Sequence, residues 1–345
     1  MPTPASPTPD WSLLSAPVTV SNLTGWFILA PAGDAPRQSA GPFAAVPDST
    51  VPDYGVPEYG VLDESIGDAS TATAVLHETG SVGTLLIENT GDVDIFIQAG
   101  DIVKGGRQDR TIAFDFIVPA RSGRIPLPAF CVEQARWHRR GGESAAQFSS
   151  SKHSVSSKKT QLALHFSQDQ LEIWRSVADE QQRLSSALAM PAESAESPTS
   201  LELTYDLGHV TDALDDYTNP LEAAPAAAGR EVVGVVWAID GRPSHADRYV
   251  SPTLFRKRWR KLLRAAATEA LMSRRGPWPP VDEQAVPATE TIRDWLAAVT
   301  SAPTEEPLPP RTLVRRGHGE MAHRVECYDT AVTAAGPVHV TILAP

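Results

Sequence analysis

Apolar and polar residues alternate with a period near two through much of residues 73–118. The runs 73–78, 82–88, 93–98 and 112–118 read as strands. Thr79-Gly80, Asn89-Thr90-Gly91-Asp92 and Gly105-Gly106 supply turn chemistry between them. Strands recurring roughly every ten residues predict an antiparallel sandwich or barrel-like sheet. A shorter pair is expected at 18–20 and 26–30. The stretch 31–60, rich in Pro, Gly and Asp, is expected to be a long loop.

Beyond residue 165 the period lengthens. Ser167, with Gln170 three positions on, is a capping-box signature, and Leu171, Trp174, Val177, Leu184 and Leu188 share one helical face. Ser251-Pro252 opens a helix to about residue 274. That helix is apolar at Leu254, Phe255, Trp259, Leu262, Leu263, Ala266 and Leu271. It is basic at Arg256, Lys257, Arg258, Arg260, Lys261 and Arg264. Thr289 is expected to cap a last helix through residue 299. Residues 231–239 form a continuous apolar run closed by Asp240-Gly241, and strands near 312–316, 321–327 and 338–343 end the chain.

Two segments have no period. Residues 190–200 read as a linker. Residues 139–160, rich in Gly, Ser and Lys, are expected to be either disordered or a loop that closes over a neighbouring site. The pattern as a whole predicts an α+β fold. An N-terminal antiparallel β-rich sandwich or barrel-like unit would carry the site, and a helical C-terminal half would contain a few strands. The expected organisation is a loose arm at 1–16, a β-rich site-bearing domain at 17–165, and a mixed helix/strand part at 166–345 that is either separate or continuous with the first.

Composition narrows the function classes. The 345 residues carry a net charge of −12, which argues against general nucleic-acid binding. No apolar run approaches the roughly 20 residues that span a bilayer, and no signal-peptide pattern is visible, so a cytoplasmic location is expected. Cys131 and Cys327 make no disulfide framework and are expected to be reduced.

Candidate chemistry concentrates in two polar clusters flanking the run 112–118. The first is Lys104-Gly105-Gly106-Arg107-Gln108-Asp109-Arg110. Its glycines permit positive φ and close backbone approach, its cations suit a phosphate, and Gln108 can read an amide, ribose or base edge. A hairpin turn with solvated charges is the plainer alternative. The second is Cys131-Val132-Glu133-Gln134-Ala135-Arg136-Trp137. Glu133 is a candidate acid/base. Cys131 is a candidate nucleophile if a neighbouring arginine lowers its pKa, and otherwise a small buried residue. Arg136 suits a bidentate anion contact, and Trp137 either stacks on a ring or packs. Lys104, Gly105, Gly106, Gln108, Arg110, Arg136 and Trp137 are thus the expected ligand-binding set, with Glu133 and Cys131 as catalytic candidates. P-loop, GxGxxG, GxSxG, HExxH and CxxC patterns are absent, so no metal is expected and no cofactor is assigned.

Several of these motifs resemble a little-characterised prokaryotic family, the ADP-ribosylglycohydrolase- and rhodanese-phosphatase-associated protein domain. They are Ile87-Glu88-Asn89, Ala99-Gly100-Asp101, Gly105-Gly106-x-Gln108-x-Arg110 and Cys131-Val132-Glu133-x-x-Arg136-Trp137. The likeness continues more loosely through the Trp174 helix, the strand and turn at 234–241, the helix at 254–271 and Val338-His339-Val340. It covers most of the chain from about residue 20; the segments 31–60 and 139–160 depart from the family. The resemblance implies an association with ADP-ribose and NAD-derived metabolites. It carries no settled activity.

Two functions of different class follow as expectations. One is a cytoplasmic enzyme acting on an ADP-ribose-containing or other nucleotide-like phosphorylated metabolite. The other is a non-catalytic sensor of the same ligand or a protein-interaction module. The basic face of the helix at 252–274 is then a docking surface for an acidic protein partner or a phosphate, with a solvated amphipathic face as the plain alternative.

Overall fold

The run Val232–Ile239 is buried along its whole length because it is the middle of a sheet. This computed structural model describes residues 11, 13–31, 57–67, 71–106, 108–133, 148–188, 200–274, 286–299, 303–332 and 336–345. An eight-stranded antiparallel sheet runs in the order Val18–Val20, Leu23–Leu29, Val232–Ile239, Arg242–Tyr249, His339–Leu343, His323–Asp329, Thr312–Gly317 and Thr304–Leu308. Asp240 and Gly241 have φ of 51° and 73° and form the expected two-residue turn, whose twist matches the strands it joins.

Both faces of this sheet are covered, and strand alternation decides which side chain goes where. Trp26, Ile28, Val236, Ala246, Val340 and Ile342 pack on one side with Ile292, Trp295 and Leu296 of the helix Thr289–Ala297. Phe27, Val235, Trp237 and Tyr249 face the other way, toward the long helix Pro252–Ser273 and the helices Gln170–Ala187 and Gly208–Leu221. The indoles of Trp237 and Trp259 stack there with centroids 5.9 Å apart. A Cβ on Gly25 would stand 2.7 Å from the Trp237 ring, so only glycine lets that indole lie against the strand.

A second sheet has six strands in the order Ser149–Ser154, Asp101–Lys104, Arg110–Ile112, Ser122–Cys131, Thr84–Asn89 and Ala74–Glu78. A three-stranded sheet, Gly60–Val61, Ile95–Ile97 and Phe116–Val118, shares its core through Leu76, Leu85, Ile87, Ile112, Phe116 and Leu127. The architecture is therefore α+β. No helix among the described residues is long and apolar enough to cross a membrane.

Five expectations change. The C-terminal half has its helices but more than a few strands: it supplies six of the eight strands of the large sheet, and the first two strands of the chain join it there. Residues 112–118 are not one strand. Arg110–Ile112 and Phe116–Val118 belong to different sheets, and the chain breaks at Asp115, whose carboxylate accepts the Ala99 N–H at 2.8 Å. Much of 139–160 is ordered: Ser149–Ser154 is a strand on Asp101–Lys104, and Lys158–Leu162 is helical with Ser157 as its cap. Polarity hid that strand, because Ser151 and His153 are buried by hydrogen bonding, the Ser151 hydroxyl to Glu202 and the His153 ring toward Asp206 at 3.4 Å. Asp169 rather than Ser167 caps the next helix, accepting the Glu172 N–H, since Ser167 ends a π-helical turn. Thr289 is the first helical residue and caps nothing. The expected arm, most of the 31–60 loop and the linker near 190–200 lie outside the described residues.

Candidate functional site

The Gly-Gly turn forms as expected. It ends the hairpin Asp101–Lys104/Arg110–Ile112, with Val103 opposite Arg110, and Gly105 and Gly106 take φ of 129° and 60°. A Cβ on Gly106 would lie 2.3 Å from the Glu78 carboxylate and 2.8 Å from the Phe148 ring. The turn is thus packed against protein. Gln108, Arg110, Cys131 and Glu133 are all buried. The Arg110 guanidinium donates to Gln108 Oε1 at 3.0 Å and lies 3.9 Å from Glu78, and Gln108 donates to the Glu133 backbone oxygen at 3.1 Å. Cys131 Sγ donates to that same oxygen at 2.9 Å, and burial pushes its thiol pKa up, away from the thiolate a nucleophile needs. Lys104, at the hairpin's end, pairs with Glu202 at 3.1 Å. Folding brings Gln108, Arg110, Cys131 and Glu133 together. Arg107, Gln134, Arg136 and Trp137 lie outside the described residues.

The basic helix is neutralised within the chain. Arg256 lies 3.4 Å from Glu231, Lys257 3.1 Å from Glu64, Arg260 2.7 Å from Glu222 and Arg264 3.6 Å from Asp215. Arg258 and Lys261 point inward. Arg258 makes a bidentate pair with buried Asp101 at 2.6 and 3.0 Å, and Lys261 bonds Asp63 and reaches Asp101 at 3.3 Å. Burial alone would raise the Asp101 pKa, but Arg258 and Lys261 outweigh it and hold the carboxyl below its usual range. Each cation of this face therefore has an acidic neighbour within the chain.

Sequence reasoning missed the cavity where the sheets, the long helix and the π-helical turn meet. Gln98, Asp115, Lys158, His165, His245, Asp247, Arg258 and His339 are among the residues that line it. One of them, His339, is held on both sides. One ring nitrogen donates to Asp115 at 2.6 Å and the other to Asp247 at 3.0 Å, and Tyr249 stacks on the ring at 4.6 Å. Burial would lower the His339 pKa, yet the two carboxylates push it up to about 9, so it is an imidazolium at pH 7. Gln98 ties this group to the helix, donating to Asp247 at 3.4 Å and accepting from Tyr249 at 2.6 Å and Arg258 at 3.0 Å.

His165, His245 and Lys158 also line the cavity. His165 sits on the π-helical turn Ala163–Ser167, a distortion that often marks function. Burial, helped by the charges of Arg316 and His339, brings its pKa down to about 4, so the ring is neutral. His245 is also held below its usual value, by burial and then by the Lys158 charge, and its ring lies 3.3 Å from the Ser244 hydroxyl. Among the described residues no hydrogen bond engages the His165 ring and no ion pair engages the Lys158 ammonium. The cavity measures about 40 Å³, room for a few waters or one small anionic group and too small for a whole nucleotide. No group of three metal-ligating side chains is present among the described residues.

One sequence signal could have found the cavity. Asp115 is the one ionisable residue in the run 112–118, and His339 the one in 336–345. A charge inside an apolar strand has to be buried and paired. No curated protein and no solved structure matches this chain. A family model does match, over residues 42–326, and the chain belongs to that family, the ARG and Rhodanese-Phosphatase-superfamily-associated Protein domain, ARPP-1.

Proposed function

We propose that this chain is an enzyme acting on a small phosphorylated metabolite of the ADP-ribose class, with the polar cavity as its reaction centre. The observation that carries the proposal is the placing of a neutral imidazole, His165, with no hydrogen bond to its ring among the described residues, and an ammonium, Lys158, with no ion pair within 4 Å among them, around the fixed Asp115–His339–Asp247 group. Lys158 attracts the anionic end of the ligand, and His245 supplies a second polar contact. His165 is the acid/base: it enters neutral and can take a proton, and a bound anion would raise its pKa toward the useful range. Asp115, His339 and Asp247 keep the wall rigid and carry a net negative charge that disfavours a second anion. The metabolite class rests on the family's association with ARG proteins.

A thermal-shift and turnover screen with ADP-ribose, ribose 5-phosphate and inorganic phosphate tests this. At least one ligand should raise the midpoint by mass action. Lys158→Ala should remove the shift. His165→Asn should keep the shift and lose consumption of the ligand. Absence of any shift at millimolar ligand would defeat the proposal, and a shift without consumption would make the chain a sensor. A second binding region is favoured by one feature: Arg110 Nε is buried without a hydrogen-bond partner among the described residues. There the Gly105-Gly106 turn, Lys104, Gln108 and Arg136 would hold the ligand, Trp137 would stack, and Glu133 would serve as acid/base.

A further inference from the structure

The π-helical turn that directs His165 to the cavity sends the next residue elsewhere. Phe166 is half-buried, and its ring centroid lies 4.7 Å from that of His318 and 5.2 Å from that of His323. The two imidazoles stand edge-on to each other at 5.3 Å. His318 is exposed, so the cluster opens to solvent.

Sheet register shows that this cluster adjoins the cavity. His245 is opposite Leu343, and Leu343 is opposite His323 on its other side. Residues directly opposite in antiparallel strands share a face. His245 and Leu343 both line the cavity. His323 is therefore the next position in the same row, one strand spacing of about 4.8 Å further out. From the helical side, the rings of His165 and Phe166 are 6.3 Å apart. The cavity and the aromatic cluster are thus neighbours by two independent routes.

The cluster also has hydrogen-bonding capacity left over. His323 Nδ1 is buried and has no hydrogen-bond partner among the described residues. Burial and the adjacent His318 hold the His323 pKa below its usual value, which keeps the ring neutral. Partly exposed ring surface beside an unsatisfied ring nitrogen suits a flat heterocycle that both stacks and hydrogen-bonds at its edge.

We propose that Phe166, His318 and His323 form a stacking notch for the heterocyclic base of a nucleotide whose phosphorylated sugar end enters the adjoining cavity. This rests on the cavity being the ligand site, and it accounts for how a space of about 40 Å³ serves a ligand larger than itself. Only the small anionic end is enclosed, and the base remains at the mouth.

The test is calorimetric titration of the full chain, in EDTA, with ADP-ribose and with its base-free fragment ribose 5-phosphate. ADP-ribose should bind more tightly by roughly 5- to 100-fold, the usual range for one stacked base. Phe166→Ala should erase most of that margin and leave ribose 5-phosphate binding unchanged, whereas Phe166→Trp should keep it. His318→Ala, at an exposed position, gives the same reading if Phe166→Ala does not fold. The notch is overturned if wild type shows no margin, or if the margin survives both alanine variants. Loss of both ligands in Lys158→Ala with the Phe166→Ala margin intact would uphold the cavity and refute the notch. If neither phosphorylated ligand binds wild type, the cavity reading has failed. Adenosine then judges the notch alone: Phe166-dependent binding upholds it and no binding overturns it.

Discussion

The Gly-Gly hairpin and the cavity contain similar residue types, but folding leaves them in different states. At the hairpin, Arg110, Gln108, Cys131 and the Glu133 backbone are largely committed to one another. At the cavity, one side is equally committed, with His339 held between two aspartates, while the other keeps His165 and Lys158 unengaged among the described residues. Reactive side chains close together in sequence satisfy each other readily, because short loops bring them into contact at little entropic cost. The cavity draws its residues from distant segments, and no single segment can satisfy them all. A site is better recognised by polar groups left over after packing than by their density along the chain.

The largest expected effect tests the committed side of the cavity. Arg258→Met would leave the Asp101 carboxylate buried with Lys261 as its remaining cation and the Gln98 N–H as a further donor. Breaking a buried pair from one side costs about 3–5 kcal/mol, which urea denaturation would show. A loss under 1 kcal/mol would mean that the helix is not anchored there.

The next effect concerns pH. His339 has its folded pKa raised from 6.5 to about 9, so its stabilisation is complete below pH 6.5 and is lost as pH rises through about 9. His165 acts in the opposite sense. With a folded pKa near 4, it prefers to be neutral, and its contribution is lost as pH falls from 6.5 toward 4. Each limb is worth about 3 kcal/mol. Stability measured against pH should therefore peak near pH 6.5–7. His339→Gln should flatten the alkaline limb and His165→Asn the acid one; unchanged limbs would mean that other groups set the profile.

The smallest effect separates the two regions directly. Arg110→Ala should cost about 1–3 kcal/mol by leaving the buried Gln108 oxygen unsatisfied, with ligand affinity unchanged. Lys158→Ala, with no ion pair to lose among the described residues, should change stability by less than about 0.5 kcal/mol while affinity falls. The reverse result would move the ligand to the hairpin.

Much of the framework was legible from local pattern. Residues 232–239 are apolar throughout because the strand is central. Asp240-Gly241 supplies a turn that few dipeptides can, and Ser251-Pro252 begins the long helix as expected, with the Ser251 hydroxyl accepting the Leu254 N–H. Family membership was legible as well, from the spacing of short motifs. The strand Ser149–Ser154 was hidden because its inward side chains are buried by hydrogen bonds rather than by apolar contact. The state of the basic helix was illegible because sequence shows charges without their partners; Glu222, Glu231, Asp215 and Asp63 are brought to it by folding alone. The cavity was illegible for the same reason, apart from the isolated charges of Asp115 and His339.

The position of the last strand has a consequence for how the chain is made. His339–Leu343 does not sit at an edge; it joins Arg242–Tyr249 to His323–Asp329 in the middle of the large sheet. Until it emerges, the half-sheet containing Leu23–Leu29 and the terminal meander have no hydrogen bonds to each other. The Leu23–Leu29 strand itself waits about 200 residues for its partner Val232–Ile239. At common synthesis rates that is about 10–40 s with an apolar edge open to other chains. A nascent chain stopped just before His339 would carry nearly every element of the protein as two unspliced halves.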